Sequence, residues 1–253
     1  GLGDVYKRQI MFLPVFIMIL LFFYWPMLGC RYAFTSYVLA NPYYIGIFHF
    51  QTMLRFDTYF WQAFRNTLVL SIVKLILNTG AAVIISLLLN EITNMAFKKS
   101  VQTIIYLPHF MSWVVVAAVF KMILSVNSSG VVNGTLINMG LINDPIDFLG
   151  SSKYWTGTFF MMNVWKDTGW GTILFLATLS GISPDLYEAA QIDGANRFKR
   201  LIYITLPALA NTIITVFILN LAKVMNLFES VFVTQSAGTY DVSQVLQTYV
   251  YNK

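Results

Sequence analysis

Five apolar runs alternate with polar stretches along this chain: Ile10–Cys30, Asn66–Leu89, Val101–Leu124, Gly157–Leu179 and Ala208–Val233. Each is long enough to cross a bilayer, which takes about 20 apolar residues, and each predicts a transmembrane helix. The connections are rich in Asn, Gly, Pro and Ser. The longest, "SVNSSGVVNGTLINMGLINDPIDFLGSS", predicts a short amphipathic helix over Val131–Met139. No solenoid-length repeat is visible. The pattern is that of an all-α, polytopic membrane protein.

The polar stretch between the fourth and fifth runs has its own local order. "SPDLYEAAQIDG" predicts a helix capped by Ser183, with Pro184 in its first turn and Asp185 and Glu188 near the positive end of its dipole. Gly194 fits the left-handed position that ends a helix. A second helix, "ANRFKRLIYI", follows, and Pro207 opens the next crossing. The result is a bent elbow at the membrane surface. Ala189 and Ala190 let another surface approach the backbone, with Leu186 and Tyr187 beside them as apolar contacts. An amphipathic helix lying on headgroups is the competing reading. The apolar face is weak for that, and the acids oppose anionic lipid.

Composition agrees with lipid as the solvent. The chain is 57% hydrophobic and 11% charged, with a mean hydropathy of +0.66. Soluble domains carry about 25% charged residues, and this chain lacks the polar residues for such a shell. The net charge of +5 does not point to nucleic acid, because the basic residues are scattered singly with no basic stripe or stacking module. They follow the positive-inside bias instead. Asn90–Ser100 and Ser180–Thr205 hold Lys98, Lys99, Arg197, Lys199 and Arg200. Arg31–Arg65, Ser125–Thr156 and Thr234–Lys253 are together longer but hold only Arg31, Arg55, Arg65, Lys153 and Lys253. The denser loops, and with them the N-terminus and the elbow, are expected on the cytoplasmic side.

A single cysteine, Cys30, excludes an intrachain disulfide framework and a multi-Cys metal site. No Ser/His/Asp set, phosphate loop or metal spacing appears, so neither catalysis nor a metal is expected of this chain. His109, in "YLPHF", reads as a structural residue at a Pro-interrupted helix. The organisation reads as residues 1–9 ("GLGDVYKRQ") foreign or disordered, 10–30 a retained anchor, 31–64 an external loop and 65–253 a core containing the loop 183–207. The chain stops at "LQTYVYNK" without another apolar run, which reads as truncation.

Ionisable side chains at membrane depth normally face a cavity or a partner. Lys74 and Asn78 lie one turn apart in the second run. The fourth holds Asn163, Lys166, Asp167 and Trp170, and the fifth holds Asn220, Lys223, Asn226 and Glu229, three apart on one slowly turning face. Two readings stay open. Lys166 or Lys223 pairs with Asp167 or Glu229 to hold helices together, or some of these groups line a translocation path.

Glu188-Ala189-Ala190, three residues, Gly194, nine residues, Ile204-x-Leu206-Pro207 match the EAA-x3-G-x9-I-x-L-P signature of ABC importer permeases. "FRNTLVLSIVKLILN", "NEITNMAFKKSVQTIIYLPHFMSWVVVA", "VWKDTGWGTILFLATLSGI" and "QTYVYN" resemble the carbohydrate-uptake branch, of the lipoprotein, multiple-sugar and aldouronate type, from about Phe12 to Asn252. The resemblance implies a type I importer permease fold, with five of six expected crossings present. It implies that Leu186, Tyr187, Glu188, Ala189, Ala190, Asp193, Gly194, Arg197 and Pro207 couple to cytoplasmic ABC ATPase subunits, which bind the ATP and Mg. It further implies a second, related permease, an extracytoplasmic solute-binding lipoprotein and a bacterial plasma membrane. Asn163, Lys166, Asp167, Trp170, Asn226, Phe228 and Glu229 are the implied substrate path, although "KD" departs from the apolar equivalents in maltose-type relatives and suits a charged or strongly polar saccharide. The alternatives are a non-sugar solute or an ion-coupled secondary transporter, which would show inverted repeats and broken helices and have no use for the elbow.

Overall fold

A computed structural model describes residues 2–36, 43–127 and 130–253. It contains two compact units, Gly1–Trp61 and Gln62–Lys253.

In the first unit, α1 (Leu2–Ile19) continues through a π-helical turn (Leu20–Tyr24), α2 (Trp25–Met27) and a 3₁₀ segment (Leu28–Phe34). Val5–Phe34 thereby forms one apolar span of 30 residues. Its large apolar side chains are exposed along most of its length, as lipid-facing ones are. Residues 2–9, expected to be disordered or foreign, belong to the helix α1. The expected external loop 31–64 also has structure. Ser36 N–H donates to the Tyr43 carbonyl at 2.8 Å and Ile45 N–H to the Phe34 carbonyl at 2.9 Å. α3 (Phe48–Phe56) follows, with His49 Nε2 donating to the Thr35 carbonyl at 3.1 Å.

α4 (Thr58–Asn90) starts eight residues before the expected Asn66, and the unit boundary falls within its first turn. The second unit then holds α5 (Met95–Tyr106), a 3₁₀ turn (Leu107–Phe110), α6 (Trp113–Ile123), α7 (Val131–Asn138), α8 (Ser152–Ser180), α9 (Pro184–Ile192), α10 (Arg197–Arg200), α11 (Leu206–Leu221), α12 (Phe228–Thr234), α13 (Tyr240–Ser243) and α14 (Leu246–Tyr251). Among the described residues, extended pairing is limited to the isolated Thr35–Tyr44 bridge.

Two expected crossings are not continuous helices. The third bends by 107° between Met95–Phe110 and Trp113–Ile123. Pro108 disturbs the helical ladder, Met111 is extended, and the Ser112 hydroxyl caps α6 by accepting from Val115 N–H at 3.3 Å. The fifth ends at Leu221 and resumes as α12. The intervening turn is held from outside. Ser71 Oγ donates to the Val224 carbonyl, and Gln247 Oε1 accepts from Leu227 N–H at 2.8 Å and Phe228 N–H at 2.6 Å. Asn220, Lys223, Asn226 and Glu229 therefore do not share one helix face. By length and apolarity alone, Val5–Phe34, Thr58–Asn90 and Arg197–Leu221 qualify as spans, and the bent pair counts as a fourth.

α8 is the central strut of the second unit. Near one end, Trp155 and Phe159 pack with Leu70, Leu227, Val231 and Val245; near the other, Phe175, Leu176 and Leu179 pack with Ala82, Leu89, Leu209 and Val216. Trp155 Nε1 donates to the Thr234 carbonyl at 3.0 Å, and Thr178 and Thr212 hydroxyls meet at 2.9 Å. Gly169 permits close packing: a Cβ there would lie 2.5 Å from the Ile105 carbonyl oxygen of α5.

Candidate functional site

Between these two apolar clusters α8 carries its polar residues, Asn163 to Trp170, and beside them opens a cavity of about 680 Å³. α4 contributes Lys74, Asn78 and Thr79; the 3₁₀ turn contributes His109; α8 contributes Asp167 and Trp170. Asn220, Lys223 and Asn226 close it from the end of α11 and the turn after it. Ligand pockets commonly measure about 300–1,000 Å³.

Of the residues assigned to the substrate path, Asp167, Trp170 and Asn226 line this cavity. Asn163 does not. It is fully buried, its Nδ2 donates to the Phe159 carbonyl at 2.7 Å, and its Oδ1 has no partner. Lys166 is buried behind the wall, where its Nζ donates to the His109 carbonyl at 3.1 Å, lies 3.8 Å from Asp167 Oδ1 and sits over the Trp113 ring at 5.6 Å. Phe228 stacks on Phe232 with centroids 5.1 Å apart and packs edge-on against Tyr251, and Glu229 is exposed. Neither Phe228 nor Glu229 belongs to the lining.

His109 is more than a structural residue at a break. Its ring stacks on Trp170 with centroids 5.3 Å apart and 17° between planes, and its Nδ1 lies 3.6 Å from Asp167 Oδ1. The break in the third crossing is what swings this ring toward α8. Lys166 and His109 thus converge on Asp167, whereas no carboxylate among the described residues lies within 4.0 Å of Lys74 or Lys223 Nζ.

The elbow forms the second element of the site. The Ser183 hydroxyl accepts from Asp185 N–H at 3.3 Å, and α9 ends in a Schellman motif: Ala195 N–H donates to the Ala190 carbonyl at 2.8 Å and Gly194 N–H to the Gln191 carbonyl at 3.1 Å, with Gly194 at φ +77°. Asn196 caps the next helix by accepting from Lys199 N–H at 2.8 Å. That helix does not stop before Pro207, as a helix-opening proline would require. Arg197–Leu221 is continuous, and a π-helical turn at Leu201–Thr205 accommodates the N–H that Pro207 lacks. The Tyr187 and Thr205 hydroxyls, 3.0 Å apart, tie α9 to this helix. α9 buries no residue: Leu186 is exposed, as are Glu188, Ala189, Asp193 and Arg197, while Tyr187 and Ala190 are half-buried.

A family model described as the binding-protein-dependent transport system inner membrane component matches residues 78–252, well over half the chain. The chain belongs to this family. The permease is 37% identical over 250 residues to protein LplB of Bacillus subtilis (strain 168), which covers 96% of this chain and 76% of LplB. It is 36% identical over 247 residues to the polygalacturonan/rhamnogalacturonan transport system permease protein YteP of the same strain, with the same coverage. A solved structure of a bacterial ABC transporter that imports the acidic polysaccharide alginate superposes with a TM-score of 0.89 at 35% identity, covering 99% of this chain and 84% of that one. A second structure, of the bacterial alginate transporter with an alginate pentasaccharide-bound periplasmic protein, gives the same score. The chain is therefore a multi-pass transport subunit with the importer-permease fold, and the matched residues include the whole elbow and most of the cavity wall.

Proposed function

We propose that this permease carries a carbohydrate, in the form of an oligosaccharide, inward across a bacterial plasma membrane, and that ATPase subunits docked on the α9 elbow drive it. The observation that carries the reading is a polar cavity within an apolar helix bundle, from whose wall a rigid elbow projects on the same continuous helix. Amides and charged groups at Asp167, Asn220 and Asn226 suit sugar hydroxyls, and Trp170 offers a ring for the apolar face of a sugar. The printed substrates of YteP and of the alginate transporter are polysaccharides, which supports the same choice.

In this mechanism the chain hydrolyses nothing. ATP and Mg bind the ATPase partners, whose dimerisation moves Leu186, Tyr187, Glu188, Ala189, Ala190, Asp193 and Arg197. The Schellman turn at Gly194 keeps the elbow from absorbing the stroke, and the helix through Pro207 delivers it to the cavity. A related second permease completes the path, and an extracytoplasmic binding protein supplies the sugar; the periplasmic protein in the alginate complex favours that arrangement. The N-terminus and the elbow are cytoplasmic.

Reconstitution into proteoliposomes with ATPase subunits, partner permease and binding protein tests this. Asp167→Ala should lower ATP-dependent oligosaccharide uptake at least tenfold with the ATPase still bound, and unchanged uptake would remove Asp167 from the path. Glu229→Ala, outside the cavity lining, should leave uptake near wild type. An ion-coupled carrier also uses broken helices, and breaks are present here. Uptake without ATP, driven by an ion gradient, would establish that reading in place of this one.

A further inference from the structure

The break in the third crossing deprives backbone carbonyls of the partners a continuous helix would give them. In an uninterrupted helix the His109 carbonyl would accept from the Trp113 N–H, four residues on. Here Met111 is extended and α6 starts afresh from the Ser112 cap, so the chain leaves that path. The neighbouring Pro108 carbonyl is satisfied locally, by the Met111 N–H at 3.1 Å. The His109 carbonyl is satisfied from another element, by Lys166 Nζ of α8 at 3.1 Å.

Lys166 touches both sides of the break. Its Nζ bonds the last turn before it and lies 5.6 Å from the ring centre of Trp113, the first residue of the helix after it. A cation suits the first contact because the C-terminal end of a helix carries partial negative charge. It suits the second because an aromatic face attracts it. The residue is only 7% exposed and lies outside the cavity lining, so neither water nor a cargo accounts for its position. Its other near neighbour, Asp167 Oδ1 at 3.8 Å, is the next residue of the same helix, and that contact joins α8 to nothing else.

α8 meets the same turn at two further points. Three residues on, Gly169 lets the backbones close up, since a Cβ there would stand 2.5 Å from the Ile105 carbonyl oxygen. Four residues on, Trp170 stacks on the His109 ring with centroids 5.3 Å apart. Positions i, i+3 and i+4 share one helix face, so the cap, the close approach and the stack form one continuous contact. Both stacked rings line the cavity. Resting on the carbohydrate reading above for what that wall serves, we propose that Lys166 is a positioning residue: it caps the broken helix, fastens both halves of the third crossing to α8, and so holds the His109–Trp170 wall in place.

The test uses the assembled transporter, permease with its partner and ATPase subunits, in nanodiscs and with 5-fluorotryptophan in place of tryptophan. The Trp170 fluorine resonance is assigned by its loss in Trp170→Phe, and the effect of the stack by its shift in His109→Ala. Lys166→Met, which keeps the side-chain length but removes the cation, should move that resonance toward its His109→Ala position. It should also speed amide exchange over Phe110–Trp113 by at least about fivefold. Lys166→Arg should reverse both changes. Lys166→Gln, which keeps a donor without the charge, should show them in smaller size and serves if Lys166→Met does not assemble. Asp167→Asn, which leaves the cap in place, should keep the exchange within about twofold of wild type. An unmoved Trp170 resonance in the Lys166 variants would overturn the proposal. So would an equal rise in exchange in Asp167→Asn, because the ion pair and not the cap would then hold the turn. In proteoliposomes, with trigalacturonate and galactotriose as probes, Lys166→Met should lower ATP-dependent uptake several-fold. Added to Trp170→Ala it should cost less than about twofold more, since both act through one wall; fully multiplied losses would overturn the positioning role. Uptake of neither probe by the wild type would count against the carbohydrate reading, and the cap would then stand or fall on the resonance and the exchange.

Discussion

At Gly194 the backbone adopts φ +77°, a conformation that costs an L-residue with a side chain roughly 1–2 kcal/mol. No heavy atom lies within 4 Å of where its Cβ would be, so a substitution strains the turn without crowding a neighbour. Gly194→Leu should therefore leave the permease in the membrane and weaken the Schellman stop that fixes the angle between α9 and the following helix. The expected result is substrate-stimulated ATP hydrolysis reduced several-fold. Full stimulation with normal ATPase binding would show that the elbow angle does not carry the coupling. Gly169 presents the opposite case, a crowded site where a methyl group would press on backbone of α5. Gly169→Ala should lower stability by about 1–3 kcal/mol in denaturant titration, whereas Gly157→Ala, on the same helix with open space around it, should not. Equal effects of the two would mean that the α5–α8 approach has slack.

At the scale of elements, whatever is determined by neighbours in sequence was legible in the sequence. The elbow is such a case, because the Ser183 cap, the Pro184 start and the Gly194 stop all act within one or two turns. α7 is another, and its observed Val131–Asn138 lies within a residue of the expected helix. Pro108 in "YLPHF" announced the interruption of the third crossing, but the break in the fifth was not legible, since its supports come from elsewhere. Ser71 and Gln247 hold the turn between α11 and α12, and no local pattern announces either. The same limit hid His109, whose ring partner Trp170 and near neighbour Asp167 both sit on α8. It also made an even three-residue spacing look like one helix face from Asn220 to Glu229. Gln247→Leu tests the support directly by removing the acceptor for two backbone N–H groups at similar side-chain volume. Leaving such donors unsatisfied costs about 1–3 kcal/mol each. The Leu227 and Phe228 amides should exchange markedly faster with deuterium, and affinity at the neighbouring Lys223 and Asn226 should fall. Unchanged exchange would place the support of this turn elsewhere.

For the whole molecule, the decisive element is α8, because it joins α7 to the elbow and so decides whether the two lie on opposite sides of the membrane. It spans 29 residues, about 43 Å at 1.5 Å per residue, against a hydrocarbon core of about 30 Å. It is absent from the spans that length and apolarity alone identify, and its polar middle, Asn163 to Trp170, is the reason. Those groups are sheltered: Asn163 and Lys166 are buried in protein, and Asp167 and Trp170 line the cavity. The helix can thus cross lipid without exposing them to it. The loop at its C-terminal end carries Arg197, Lys199 and Arg200, so the positive-inside rule predicts that it faces the cytoplasm and α7 the opposite side. Cys30 is the sole cysteine, so Cys30→Ser gives a clean background for labelling. In that background Ile192→Cys, at a position 86% exposed on α9, and Met139→Cys, at one 67% exposed beside α7, report the two sides. A membrane-impermeant maleimide should label Ile192→Cys in inside-out vesicles only and Met139→Cys in right-side-out vesicles only. Labelling of both from the same side would mean that α8 does not cross. The cavity would then not lie within the bilayer, and the elbow would have no motor to meet on its own side of the membrane.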